Sequence, residues 1–247
     1  MKNEFEYGNN NINKDLMIKE EKRQIKIGLL FLILLQIFFY SFVFLGSPFF
    51  QEDMIEFINF SLKTASTILT LILIFFTIRK WNWNLDKWGF IYNSGFWVTF
   101  LITVVFFFLN WFNSEFIVSF GLTTISQALT GIWEELIYTV LLTYLLLRYF
   151  QIYLKIKELY AKLLAVVVSA LIFTLVHLPY GIWSFDEIIY NTITFIIYRL
   201  IYIFIGTFFY GMVLHGTSKA EFMALPILII FYTLFALINW KIKKDSK

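Results

Sequence analysis

Two adjacent carboxylates, Glu134 and Glu135, stand in the middle of an otherwise apolar stretch, GIWEELIYTVLLTYLLLRYF, residues 131–150. Nothing else between Ile117 and Leu147 is charged. A charged side chain at bilayer depth is disfavoured by roughly 2.5–3.5 kcal/mol on insertion scales. A pair at that depth is therefore expected to face a bundle interior or a wet cavity and to serve chemistry or ion handling. The bland alternative, carboxylates simply pointing to water, conflicts with the long apolar flanks. Imidazole chemistry can come only from His177 and His215, because the chain has two histidines. There is no cysteine, which excludes disulfides, thiolate nucleophiles and cysteine metal sites.

Depth decides how these groups are read. His177 follows Phe173 by four residues, on one helix face, and Pro179 then marks a helix end. A lone histidine in an apolar helix is more often a packing group than a catalyst. At about 1.5 Å per residue, however, Glu134 lies roughly 21 Å from Arg148, and His177 roughly 22 Å from Lys162 on the next, antiparallel helix. An acid pair and an imidazole at one level make an acid/base or metal constellation. Arg199 falls about 24 Å above an end taken at His215, close to the same layer. It is expected to offset the charge of the glutamates, with a snorkelling or headgroup-binding arginine as the alternative. His215 is discordant, since straight counting leaves it near the cytoplasmic end. It reaches the carboxylates only if its segment breaks, at Gly206 or Gly211.

The elements that must position these groups are membrane helices. The chain is 60% hydrophobic and 21% aromatic, against about 45–50% apolar in soluble domains. The fold class expected is all-α, a polytopic transmembrane bundle of about seven or eight spans. Seven apolar runs are legible, at about 27–46, 57–78, 90–112, 117–148, 160–180, 187–214 and 222–240. The fourth is too long for one straight crossing and is expected to tilt or break near Gly121. The domain plan is a polar, unstructured tail (1–26), N-terminal helices (27–112), a catalytic-type core (113–240) and a basic tail (241–247). The lead-in is too long and too acidic for a signal peptide. A net charge of +3 gives no support to a nucleic-acid partner.

Lys and Arg crowd the N-terminal tail, the turn at Arg79, Lys80 and Lys87, and the loop from Arg148 to Lys162. This places the N-terminus in the cytoplasm of a multi-pass cell-membrane protein. Seven crossings would then put Lys241, Lys243, Lys244 and Lys247 outside, against the same rule. Trp81, Trp83 and Trp88 look like an interfacial belt, with an aromatic cage for lipid or substrate as the less favoured alternative.

Glu134-Glu135-x-x-x-Thr139, Phe173-x-x-x-His177 and His215-x-x-x-Lys219 resemble the three motifs of the CPBP family, EExxxR, FxxxH and HxxxN/D. The family comprises type II CAAX prenyl endopeptidases and bacteriocin-processing or bacteriocin-immunity membrane proteins. EELIYTVLL is similar to the family's EEIIFRGLL, FTLVHLP to its FALLHLP, and the likeness covers about 115–240. Two positions depart from it: Thr139 stands for the arginine and Lys219 for the Asn or Asp. Gly211–Ser218 also resembles the turn before the third motif; that alignment moves the third-motif position to Phe231, where no histidine stands. The resemblance implies an intramembrane endopeptidase acting on a membrane-bound or lipidated peptide or protein, in bacteriocin maturation or self-immunity. Glu134 with His177 would polarise a water, Glu135 would support the site and His215 would stabilise the oxyanion. Glu134, His177 and His215 could hold zinc, and a metal-free glutamate mechanism serves equally well. The runner-up is a catalytically inactive relative that binds a peptide, bacteriocin or partner protein. A proton-coupled transporter using Glu134, His177 and Arg199 lacks the internal repeat it would require.

Overall fold

Apolar runs of about twenty residues with no water to bond must satisfy their backbone internally, and helices do so. The computed structural model describes residues 4–46, 52–111, 122–178, 184–216 and 224–245, and every regular element among them is helical. In order these are α1 (Glu4–Gly46), α2 (Glu52–Lys80), α3 (Ser94–Trp111) and α4 (Leu122–Glu134). The last continues through a π-helical segment, Glu135–Leu142, into α5 (Thr143–Ile152). Then follow α6 (Glu158–His177), α7 (Phe185–Ile205), α8 (Phe209–Gly216) and α9 (Ala224–Asp245). The expected break at Gly121, the helix end at Pro179 and the motif position Lys219 lie outside the described residues.

The continuous run from α4 to α5 is the axis of the bundle. Its apolar span, Thr124–Ile152, is 89% buried, whereas the other four helices long and apolar enough to cross a membrane are 17–39% buried. Those outer helices carry their apolar side chains outward: Phe75, Leu175, Ile193 and Ile230 are each more than half exposed. A soluble protein does not present such a surface on every side, and a multi-pass membrane protein does. Five spanning helices are present among the described residues, plus the shorter apolar stretch Ser94–Val105; the expected count of seven or eight goes beyond these.

The main departure from expectation is at 187–214, which is not one crossing. A capping box, in which Ser184 and Glu187 satisfy each other's backbone N–H, starts α7. Gly206 ends it in the left-handed region, at φ 85°, a conformation glycine adopts without steric cost. The chain reverses there, and α8 runs back into the bundle for about 12 Å. α9 then returns toward the starting end, where Asn239 and Lys243 both reach Asp86. The C-terminal lysines therefore share the end of the bundle that carries Lys87. The conflict with the charge rule came from reading α7 and the returning α8 as one crossing.

Two further expectations are corrected. The polar lead-in belongs to α1 from Glu4 onward, and its later part leans on α5: Glu21 pairs with Arg148, and Ile25 is 2% exposed. Charge density argued for disorder, but these contacts give the segment a surface to fold on. The tryptophans are not a lipid-facing belt, since Trp81, Trp83 and Trp88 are all buried. The segment between α2 and α3 folds inward, where the Trp88 indole donates to Thr77 Oγ1 at 3.0 Å.

α9 locks this segment in place. The Tyr232 hydroxyl donates to the carbonyl of Gly89 or of Ile91, at 2.8 and 2.9 Å, accepts from the Ile91 N–H at 3.2 Å and touches Thr207 Oγ1 at 2.8 Å. The Asn239 amide donates to Asp86 Oδ1 at 2.7 Å and to the Phe90 carbonyl at 2.8 Å. Asn239→Ala leaves both acceptors without that donor, which costs about 1–3 kcal/mol for a buried group. A lowered thermal-unfolding midpoint in detergent is expected, and an unchanged midpoint would show that α9 does not hold the segment.

Candidate active site

Glu134 ends α4 and Glu135 begins the π-helical segment, so the two carboxylates leave the helix in directions about 100° apart. Both are buried, at 8% and 1% exposure. The His215 ring, carried by α8, fits between them. Its Nε2 lies 3.1 Å from Glu134 Oε2 and its Nδ1 lies 3.2 Å from Glu135 Oε1. His177, at the end of α6, brings its Nε2 to 3.4 Å from the same Glu134 oxygen. The Nδ1 of His177 lies 2.8 Å from the Phe173 carbonyl. A carbonyl only accepts, so this bond puts the proton of the neutral ring on Nδ1 and turns Nε2 toward Glu134.

Three segments thus converge on one carboxylate oxygen, and each is held by local chemistry. Across α5 and α6, Thr143 Oγ1 donates to Ser169 Oγ at 2.9 Å. Across α6 and α7, Thr192 Oγ1 donates to Thr174 Oγ1 at 3.0 Å. The Phe173 ring, 1% exposed, is the packing centre: its centroid lies 4.2 Å from that of His177, 5.7 Å from that of His215 and 4.8 Å from that of Tyr138.

Glycines make the approach of α8 possible. A Cβ at Gly131 would lie 2.6 Å from both the Gly216 Cα and the Met212 carbonyl oxygen, which are backbone atoms that no rotamer change can move. A Cβ at Gly211 would lie 2.7 Å from Glu135 Oε2. Helix backbones in membranes approach closely at such small residues. Neither glycine was singled out as a packing contact from sequence, although Gly131, three residues before Glu134, was the available signal. The π-helical segment left no sequence signal that we can name.

Glu134, Glu135, His177 and His215 meet directly, with Phe173 among them. Thr139, 1% exposed, lies four residues beyond Glu135 with its hydroxyl lacking a hydrogen-bond partner among the described residues. Arg199 is fully buried, its guanidinium 5.1 Å from the Phe173 ring centroid and 5.7 Å from that of Phe195. It is not a snorkelling or headgroup arginine. The break that delivers His215 is at Gly206, one of the two positions expected.

Zinc was one of two chemistries expected. Its donor types are present, but both Nε2 atoms sit against a carboxylate oxygen. Among the described residues no three His, Asp or Glu side chains are arranged to hold a metal ion. What these residues can do is acid–base work: a carboxylate within reach of two imidazoles can take up, hold and return a proton.

A helical membrane bundle with a buried glutamate–histidine cluster is the class that fold and site define. Residues 116–220 match the family model of the type II CAAX prenyl endopeptidase Rce1-like proteins, which supports membership of the CPBP family. Over that stretch the chain is similar to CAAX protease-like membrane proteins. No curated protein and no solved structure gave a match.

The glycine contact is testable. Gly131→Ala pushes α8 away from α4 and is expected to cost about 1–3 kcal/mol by overpacking. Gly28→Ala, whose nearest neighbour is the flexible end of Leu145, should cost less. Thermal midpoints of the two variants check this, and equal midpoints would mean that α8 is not seated through Gly131.

Proposed function

We propose that the protein is an intramembrane endopeptidase that hydrolyses a peptide bond in a membrane-bound or lipidated peptide, with peptide maturation or bacteriocin self-immunity as its setting. The observation that carries this reading is the convergence of His177 Nε2 and His215 Nε2 on one oxygen of Glu134, within 3.4 Å. A structural helix contact has no need of two imidazoles and two carboxylates at membrane depth.

In the proposed reaction Glu134, oriented by His177, takes a proton from water as the water oxygen bonds to the peptide carbonyl carbon. The carbonyl oxygen gains the negative charge and accepts a hydrogen bond from a protonated His215. Glu134 then passes its proton to the amide nitrogen as the C–N bond breaks. Glu135 holds His215 from the opposite ring edge. Water access is consistent with the side-chain exposure of His177, 21%, and of Glu134, 10%. The Lys-rich end of the bundle is placed in the cytoplasm, with the N-terminus on the same side, by the positive-inside rule.

A second reading, a relative that binds a peptide or bacteriocin without cutting it, is favoured by one feature. Thr139 stands where the resembled motif has an arginine, so the cluster lacks a cation on its own helix. The two readings separate in one assay with purified full-length protein in nanodiscs and lipid-anchored peptides of several sequences. Glu134→Gln is expected to reduce cleavage by about 10²–10⁴-fold while the protein still accumulates and melts cooperatively. Cleavage at an undiminished rate by Glu134→Gln would remove the glutamate mechanism. Peptide retention without any cleavage by the unmutated protein would leave the binding reading.

A further inference from the structure

Among the described residues Arg199 is the largest fully buried side chain with unpartnered polar atoms. It is 0% exposed, and only one of its guanidinium nitrogens is spoken for: Nη1 donates to the Phe195 carbonyl at 3.0 Å. Nε and Nη2 have no hydrogen-bond partner among the described residues. Glu135 Oε2 and Thr139 Oγ1, in the same layer, likewise lack a hydrogen-bond partner among the described residues. Glu135 Oε2 lies against α8 where α8 meets α7: a Cβ at Gly211 would lie 2.7 Å from Glu135 Oε2 and 3.3 Å from the Cβ of Tyr198, the neighbour of Arg199. Glu135 is also the carboxylate to which Arg199 is electrostatically coupled. No ion pair within 4.0 Å joins the two side chains, but an isolated buried guanidinium and a half-paired buried carboxylate are each costly, and a small approach of one to the other would offset both.

We infer that Arg199 is a positioning residue for this site: from α7 it anchors Glu135, so that Glu135 Oε1 holds His215 Nδ1 and His215 Nε2 is directed at Glu134. It thereby supplies from a neighbouring helix the cation that position 139 does not. The aromatic environment fits this role. With the Phe173 and Phe195 rings 5.1 and 5.7 Å from its central carbon, the guanidinium is held by faces that attract a cation. The same Phe173 ring packs on His177 and His215, so one side chain fixes the spacing between the cation and both imidazoles. Thr139 completes the layer as a small neutral group that leaves room for a cation arriving from α7 rather than from its own helix.

This inference deepens the endopeptidase reading, but its test does not use peptide cleavage. The full-length protein contains only two histidines, so ¹⁵N-histidine labelling in nanodiscs gives two side chains, assigned with His177→Asn. Arg199→Met is expected to shift the His215 ring nitrogens toward the values seen in Glu135→Gln and to leave those of His177 in place. Arg199→Lys is expected to restore them in part. Unchanged His215 resonances in Arg199→Met would overturn the proposal, as would an equal disturbance of both histidines. If Arg199→Met fails to accumulate, the neutral pair Arg199→Met/Glu135→Gln is expected to recover accumulation and most of the lost melting temperature, because it removes both buried charges together. A double variant no better than the single one would show that Arg199 does not act through Glu135. A protein that proves to cut no peptide leaves these outcomes unaffected.

Discussion

Burying two adjacent carboxylates at membrane depth is the constraint on which the rest of this molecule depends. Neighbouring helix positions point about 100° apart, so no single partner on an adjacent straight helix meets both. An imidazole inserted between them can, because its two nitrogens lie on different edges of the ring. His215 does this, with 3.1 and 3.2 Å contacts to Glu134 and Glu135. A side chain must therefore be delivered to mid-depth from a segment that does not simply pass through. The reversal at Gly206 and the short α8 meet that requirement.

A helix that ends inside a membrane has its own cost, since terminal backbone groups find no water there. The aromatic segment between α2 and α3 explains how the cost is met. Phe208, at the start of α8, packs edge-on against Phe90 with centroids 5.1 Å apart. Thr207 Oγ1 accepts from the Phe209 N–H at 3.2 Å and so serves the first turn of α8. The Tyr232 hydroxyl ties Thr207 to the backbone of Gly89 and Ile91. The buried tryptophans and α9 thus support the re-entrant turn, two steps removed from the carboxylates.

Much of this arrangement was legible in the sequence, for a physical reason. Charges are so costly in an apolar run that Glu134, Glu135 and Arg199 declare themselves, and counting at a fixed rise put Glu134 and His177 at one level correctly. The failures came where the chain departs from straight helices. His215 was miscounted because 187–214 reads as one apolar run, and only the left-handed conformation of Gly206 divides it. The tryptophans were read as a belt because Trp beside Lys is what an interface presents, and periodicity carries no signal for a segment that folds inward. Gly131 and Gly211 were not read as packing contacts because a close helix approach is a property of two segments, and a glycine in one of them says little alone.

The charge balance of the layer bears on how such a site is kept functional. With Arg199 as the cation, one of the two carboxylates is offset by a fixed charge, and the imidazoles face the other. This divides the glutamates by environment: Glu135 is 1% exposed, lies beside Gly211 and Tyr198 and serves to hold His215, while Glu134 meets both imidazoles where His177 is partly exposed. Two carboxylates with separate surroundings can take separate roles, one structural and one that exchanges protons. An arginine at position 139 would sit on the same helix as both. Brought from α7, the cation also joins α7 to the central helix, so one buried pair contributes to helix association and to the asymmetry of the glutamates. The price of burying charge in a membrane is then shared between the fold and the chemistry.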